Sequence, residues 1–160
     1  MVRERLTWGG VHKAADRRDW DGPQRFDRLR ETYARHGVAV LEMAHDGPAW
    51  MGRVKAYPEN LAAAADSWAA IARHWKHTWG AVEVWNEPDI FFGGNLPADQ
   101  YVPLVKAVAY RLQSTGLGVP VVGGVVAHCN RTYLDGAAAC GLLDAVDVFS
   151  FHTYDMAPAM

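Results

Sequence analysis

Cysteine, charge of one sign and long apolar runs are all scarce in this sequence. Its 160 residues include only Cys129 and Cys140, which cannot build a disulfide framework, although one bridge or two separate thiols would each fit. The formal net charge is -2. Without a basic run there is no electrostatic reason to expect nucleic acid or a membrane surface as a partner. No stretch reaches the length of a membrane span.

Targeting and metal-binding signals are also lacking. The first residues, "MVRERLTWGG", have no apolar segment of the kind that a signal peptide needs, so the sequence leaves the compartment open. His74 and His77 are three residues apart on a predicted helix, but no H-E-x-x-H motif accompanies them. A position on the helix surface is therefore favoured over a metal site. We expect neither a metal nor another cofactor.

Apolar residues, in contrast, are plentiful. They make up 50% of the chain, and seven of them are tryptophans. A chain of this length can bury a sizeable core as one domain, and we expect a single domain over residues 1–160. Indole rings also form platforms for the C–H faces of sugar rings. The composition is typical of a globular protein and compatible with carbohydrate binding.

The apolar pattern alternates between helical and strand periods from residue 25 onward. Helices are predicted in residues 24–37, 59–80 and 131–146, and a further helix near Pro97. The predicted strands are residues 38–44, 81–86, 120–126 and 147–152, and an earlier strand near "RLTWGG" is left open. The arginines of the first helix are expected on a solvated face. Because alternating units with largely apolar strands are typical of a parallel sheet covered by helices, we expect an α/β fold.

Two architectures fit this alternation. One is an open, doubly wound sheet, but "VVGGVVAH" is not the G-x-G-x-x-G turn of a nucleotide-binding version. The other is a (β/α)8 TIM barrel, which usually takes ~250 residues, so that this chain would supply about five of its eight strands. Length favours the open sheet. The residues at the strand ends favour the barrel.

Polar and aromatic side chains follow the predicted strands. In a TIM barrel the active-site residues lie at these C-terminal strand ends. In chain order they are His45, Asp46 and Trp50, then Asn86 and Glu87, then His128 and Asn130, and finally His152 and Tyr154. A purely structural protein would have more turn residues and fewer histidines and large aromatics at these positions. The strand ends therefore predict a functional site.

Glu87 is the strongest catalytic candidate, because it ends an apolar strand within "VEVWNEPD". A general acid for glycosidic cleavage must hold a proton near neutral pH, which a partly desolvated pocket favours. The neighbouring amide of Asn86 is suited to bind the 2-hydroxyl of a sugar. A helix cap or a surface carboxylate is the commoner role of a single Glu-Pro pair, but the four residues Trp85 to Pro88 together are more specific.

The stretch "VEVWNEPD" resembles the acid/base strand of the clan A glycoside hydrolases, the retaining (β/α)8 enzymes. Its context is most similar to family 39, which contains β-xylosidases and α-iduronidases. That context includes "ARHWKHTWG" before the strand, "FFGGNLPADQYVPLV" after it, and then "VVGG" and "DVFSFHTY". The resemblance runs from about residue 20 to 155 and implies that the chain is a partial barrel, about strands 2 to 6.

The resemblance also implies roles for individual residues. Glu87 matches the general acid/base of an O-glycoside hydrolase, and Asn86 matches the residue that contacts the sugar 2-hydroxyl. His152 and Tyr154 match substrate-contacting or nucleophile-orienting groups at the end of the sixth strand. The third strand would contribute His45, Asp46 and Trp50 to the pocket. The expected partner is an oligosaccharide or glycoside, and members of this family are often secreted or periplasmic.

The nucleophile of these enzymes is a second glutamate at the end of the seventh strand, and this chain has no match for it. Glu42 and Glu83 lie in mid-strand, where we expect each to pair with a basic residue. The segment alone is therefore expected to be inactive. Two alternatives remain open, a non-catalytic carbohydrate-binding partial barrel and an unrelated small α/β domain.

Overall fold

The computed structural model describes residues 1–52, 56–128, 130–152 and 154. A five-stranded parallel sheet dominates these residues, and a small antiparallel hairpin accompanies it. In chain order the strands are β1 (Val2–Thr7), the hairpin strands β2 (His12–Ala14) and β3 (Arg17–Arg18), then β4 (Val40–His45), β5 (Trp79–Val84), β6 (Val121–Val126) and β7 (Val148–Phe151). The strand order of the large sheet is β1-β4-β5-β6-β7.

Helices connect the strands of the large sheet. They are α1 (Trp8–Val11), α2 (Phe26–Arg35), α3 (Leu61–His74), α4 (Ala98–Ser114) and α5 (Arg131–Ala139). Asn60 caps α3 by accepting a hydrogen bond from the Ala63 amide, and Asn130 caps α5 in the same way through the Tyr133 amide, which satisfies N–H groups that the first turn leaves unpaired. No helix in the described part of the chain is long and apolar enough to cross a membrane.

The two faces of the sheet have different roles. Along β5, Val82 and Val84 face the helices and belong to the buried core together with Trp68 of α3 and Leu104 of α4. Glu83, between the two valines, projects to the opposite side because side chains alternate along a strand. We call this side, which also has Arg3 of β1 and Ser150 of β7, the inner face.

The expected α/β fold with a parallel sheet is confirmed. The strand left open near "RLTWGG" exists as β1, and β5 begins and ends two residues before the predicted range. Helix α5 ends at Ala139, short of the predicted position 146. The described strands form an open sheet edged by β1 and β7, so a closed barrel and the numbering of these strands as 2 to 6 stay predictions.

The expectation that the arginines of α2 are solvated is wrong for Arg30. Its guanidinium is buried, and its Nε and Nη2 donate to the two carboxylate oxygens of Glu42 at 2.9 and 2.5 Å. The same guanidinium lies over the rings of Phe26 and Trp75. Arg30 is buried because its partner, Glu42, lies on the side of β4 that faces the helices. The expected basic partner of Glu42 is thus Arg30.

Candidate active site

The backbone between β5 and the loop that follows it is held in an unusual conformation. Trp85 and Glu87 have positive φ angles of 76° and 45°, a region that costs energy for residues other than glycine. The Trp85 amide donates to the carbonyl of Ala44 at the end of β4. The Glu87 amide donates to the carbonyl of Val125 in β6. The segment is therefore bonded to both strands that flank β5, which fixes the direction of the Glu87 side chain.

Three further contacts hold this segment and the loop after it. The carboxylate of Asp89 accepts hydrogen bonds from the amides of Ala127 and His128, at 2.7 and 2.8 Å, just after β6. The indole of Trp85 donates to the carbonyl of Phe92 at 2.7 Å. The hydroxyl of Tyr101 in α4 donates to the carbonyl of Val84 at 2.9 Å. Glu87 therefore lies on a rigid strand end.

Glu87 itself is buried, with 6% of its surface exposed. Its Oε1 lies 2.6 Å from Nδ1 of His152, the residue directly after β7. The exposed hydroxyl of Tyr154 lies near the Glu87 carboxylate, and its interaction with this carboxylate raises the pKa of Tyr154. The ring of Tyr154 packs edge-on against that of His152. Three of the predicted site residues thus meet at one point, although they come from two strand ends 65 residues apart.

Asn86 is buried beside Glu87 and contacts the inner face. Its Oδ1 accepts a hydrogen bond from Nη2 of Arg3 at 3.0 Å. The same guanidinium donates through Nε to Glu83 at 2.5 Å, and Ser150 donates to the other oxygen of Glu83 at 3.0 Å. The expected basic partner of Glu83 is therefore Arg3, and Asn86 belongs to a polar network that joins β1, β5 and β7.

His45 and Asp46 lie at the end of β4. The imidazole of His45 is fully buried, with ring contacts to Trp85 and Phe92. Burial lowers the pKa of His45, an effect that the nearby Asp46 carboxylate, 3.1 Å from Nδ1, opposes in part. Asp46 also pairs with Arg5 of β1 at 3.3 Å. The burial of His45 at the end of β4 therefore disfavours its protonated form, and Asp46 lies between this imidazole and the Arg5 guanidinium.

Other predicted positions lie apart from these contacts. The indole of Trp50 donates to the carbonyl of His12 in β2, and its ring packs edge-on against that of His12. Its place in a sugar pocket stays a prediction. His74 pairs with Asp27 of α2 and stacks on Trp20. Cys140 has a free thiol, and Cys129 lies outside the described residues.

Sequence reasoning missed the contacts that support the site. Arg3 and Asp89 make the bonds that fix Asn86 and the loop after β5, and neither was among the predicted site residues. For Asp89 the sequence does hold a signal, because it closes the stretch "WNEPD" two residues after Glu87. Arg3 had no such signal, because its partner is 83 residues away in the chain.

Replacing Gly93 with alanine is expected to disturb this loop. A Cβ at Gly93 would overlap the Pro88 carbonyl and the Tyr57 hydroxyl, which are themselves hydrogen-bonded to each other. We expect a loss of about 1–3 kcal/mol in the free energy of unfolding, measured by urea denaturation, because overpacking forces the backbone to move. In Gly136→Ala, the matched control on α5, the nearest atom among the described residues is the Ala98 Cβ, at 3.6 Å from the new Cβ. An unchanged stability in Gly93→Ala would show that the loop is not tightly packed.

Comparison with known proteins finds similarity in structure and not in sequence. No protein-family model matches the chain, and no curated protein sequence matches it. A family 39 glycoside hydrolase from Bacteroides cellulosilyticus WH2 matches with a TM-score of 0.77 and 20% identity, over 98% of this chain and 33% of that one. The catalytic domain of the family 30 xylanase C from Talaromyces cellulolyticus matches with a TM-score of 0.69 and 15% identity, over 96% and 44%.

An exo-β-1,4-mannosidase from Opitutaceae bacterium strain TAV5 is a third match, with a TM-score of 0.65 and 13% identity, over 94% of this chain and 31% of that one. The expected likeness to clan A glycoside hydrolases, family 39 among them, is thus confirmed at the level of the fold. The chain spans between 31% and 44% of the length of these three solved structures.

Proposed function

We propose that this chain carries the general acid/base of a retaining O-glycoside hydrolase and that Glu87 is that residue. The observation that supports it best is the position of Glu87. It is a buried carboxylate at the C-terminal edge of a parallel sheet, held by His152 and directly preceded by a buried amide. Carboxylates at this edge perform the chemistry in (β/α)8 enzymes. Three of the solved structures of similar fold are a family 39 glycoside hydrolase, a xylanase and a mannosidase, which supports the same reaction class.

In the proposed reaction Glu87 acts twice. It first gives its proton to the glycosidic oxygen, so that the leaving group departs as a neutral alcohol while a nucleophile forms a covalent bond to the anomeric carbon. It then removes a proton from the water that attacks the same carbon and releases the sugar with retained configuration. His152 and Tyr154 hold the carboxylate during both steps. Asn86 binds the 2-hydroxyl of the sugar.

The nucleophile is proposed to be a second glutamate from a seventh strand outside this sequence. Three other carboxylates near the described strand ends are already engaged. Asp46 pairs with Arg5, Asp89 accepts two backbone amides, and Glu83 pairs with Arg3 and Ser150. A nucleophile must lie about 5–5.5 Å from the acid/base and approach the opposite side of the anomeric centre. The neighbouring unit of a closed barrel would supply such a group.

The substrate class that follows is an oligosaccharide or a simple glycoside. Two of the similar structures are named as a xylanase and a β-mannosidase, so that the sugars to try first are β-xylosides and β-mannosides. These sugars present a 2-hydroxyl next to the bond that is cleaved, which the Asn86 amide would meet. A non-catalytic carbohydrate-binding barrel remains the alternative that the test below must exclude.

Trapping the covalent intermediate tests the proposal. The product of the complete natural reading frame is incubated with 2-deoxy-2-fluoro glycosides that have a dinitrophenyl leaving group, and the labelled peptide is identified by mass spectrometry. Because fluorine slows the release of the sugar from the nucleophile, we expect one label, on a glutamate outside residues 1–160. The isolated 160-residue chain should neither be labelled nor hydrolyse aryl glycosides.

Two results would contradict the proposal. A label on a carboxylate of this segment, such as Asp46 or Glu83, would place the nucleophile within the chain. A complete product that binds sugars but hydrolyses no aryl glycoside would support the non-catalytic alternative.

A further inference from the structure

Arg3 contacts two groups beneath the proposed site at the same time. Its Nε donates to Glu83, and its Nη2 donates to Oδ1 of Asn86 at 3.0 Å. A planar guanidinium has several donors in a fixed geometry, so that one contact orients the other. Glu83 is buried and is also held by Ser150. The position of the guanidinium is therefore set before any ligand arrives.

The contact from Arg3 determines which end of the Asn86 amide faces the guanidinium. An amide offers one acceptor oxygen and one donor NH2 group, and a guanidinium has donors only. Only the amide oxygen can pair with it. The NH2 group of Asn86 is therefore turned away from the guanidinium and is available as a donor to another partner. Without Arg3 the amide would be able to rotate by half a turn and present its oxygen instead.

We propose that Arg3 is a positioning residue that fixes Asn86 as a hydrogen-bond donor toward the substrate. This inference rests on the proposed function, since the receiving group is the sugar hydroxyl next to the anomeric carbon. That hydroxyl then acts as an acceptor toward Asn86, and its own proton stays free for a different partner. The site would consequently favour glycosides with a free 2-hydroxyl over their 2-deoxy counterparts.

The first part of the test does not need activity. The side-chain amide signals of Asn86 are recorded by 15N-labelled NMR in the 160-residue chain, in the wild type and in the double variant R3M/E83Q. The double variant removes the guanidinium without leaving a buried, unpaired carboxylate at Glu83. We expect the Asn86 amide signals to shift and broaden. The signals of Asn60 and Asn130, which cap helices elsewhere, should not change.

The second part measures discrimination at the 2-position in the complete product. The ratio of kcat/KM for an aryl glycoside to kcat/KM for its 2-deoxy analogue is compared between variants. Because the bond to the 2-hydroxyl strengthens in the transition state, the ratio should fall about 100-fold in N86A and about tenfold in R3M/E83Q. In E83Q the amide oxygen at position 83 can still accept from Nε of Arg3, so that Arg3 keeps its contact to Asn86 and the ratio should stay at the wild-type value.

The outcomes separate this inference from the function on which it rests. Unchanged Asn86 signals in R3M/E83Q would overturn the inference, because Arg3 would then not hold the amide. An active enzyme whose ratio is the same in R3M/E83Q as in the wild type would also overturn it and leave the proposed function intact. A wild-type product that hydrolyses no glycoside would overturn the proposed function and, with it, the role of Arg3, whatever the NMR signals show.

Discussion

Replacing Glu87 with glutamine in the complete gene product is expected to lower kcat/KM about 10²–10⁴-fold for glycosides with poor leaving groups. Glutamine has nearly the same shape and can still pair with His152, but it cannot give a proton to the departing oxygen. An activated leaving group such as dinitrophenolate needs no proton. For such substrates we expect the formation of the intermediate to be almost unaffected, while its hydrolysis, which needs the base, stays slow.

The measurement is a series of aryl glycosides whose leaving groups differ in pKa, assayed for the wild type and for Glu87→Gln. The wild type should depend weakly on the leaving group and the variant steeply. Glu31→Gln, an exposed substitution on α2, is the control and should behave as the wild type does. An equal loss of activity for every leaving group would mean that Glu87 does not act as the acid.

Replacing Arg30 with methionine is expected to cost about 3–5 kcal/mol of folding free energy, because it leaves the buried Glu42 carboxylate without its charged partner. Burial already raises the pKa of Glu42, and Arg30 opposes that rise. In Arg30→Met, the loss of folding free energy should be largest at pH values where Glu42 is ionised in the folded protein. It should shrink as the pH falls toward about 4.5, the ordinary pKa of this group, because the folded state then takes up a proton more readily than the unfolded state.

Urea denaturation of the 160-residue chain at several pH values provides the measurement. In R30M/E42Q the uncompensated charge is gone, and the side-chain amide oxygen introduced at position 42 can still accept from the Trp79 indole, as the Glu42 carboxylate does at 3.0 Å in the wild type. The double variant should therefore recover much of the loss. Arg28→Met, at an exposed position of the same helix, should change stability by less than about 0.5 kcal/mol. If Arg30→Met were equally mild, the ion pair would be unimportant for folding.

The alternation of helices and strands was predictable because it depends on local periodicity. Apolar runs such as "VPVVGGVVA" can be recognised without knowing their neighbours, and a parallel arrangement follows from the helices between them. The burial of Arg30 was not predictable in this way. Its position on α2 is favourable only because Glu42, on a different element, faces it across the layer.

The candidate site likewise has a part that the sequence predicts and a part that it does not. Glu87 and His152 could be nominated from the sequence, since both end strands and parallel strands bring their ends to one edge. Their mutual contact of 2.6 Å follows from that geometry. The network of Arg3 with Glu83 and Asn86 joins residues at least 80 positions apart. Such contacts depend on the register between strands and on side-chain length, which a single sequence does not reveal.

The configuration of the product in an azide rescue experiment tests the role of Glu87 most directly. Glu87→Ala in the complete gene product is given a dinitrophenyl glycoside and sodium azide, and the anomeric configuration of the product is read by NMR. Azide needs no general base, so it can attack the covalent intermediate in place of water. We predict faster turnover and a glycosyl azide with retained configuration, because two displacements have occurred at the anomeric carbon. A glycosyl azide with inverted configuration would make Glu87 the nucleophile and contradict the assignment, as would the absence of any azide product.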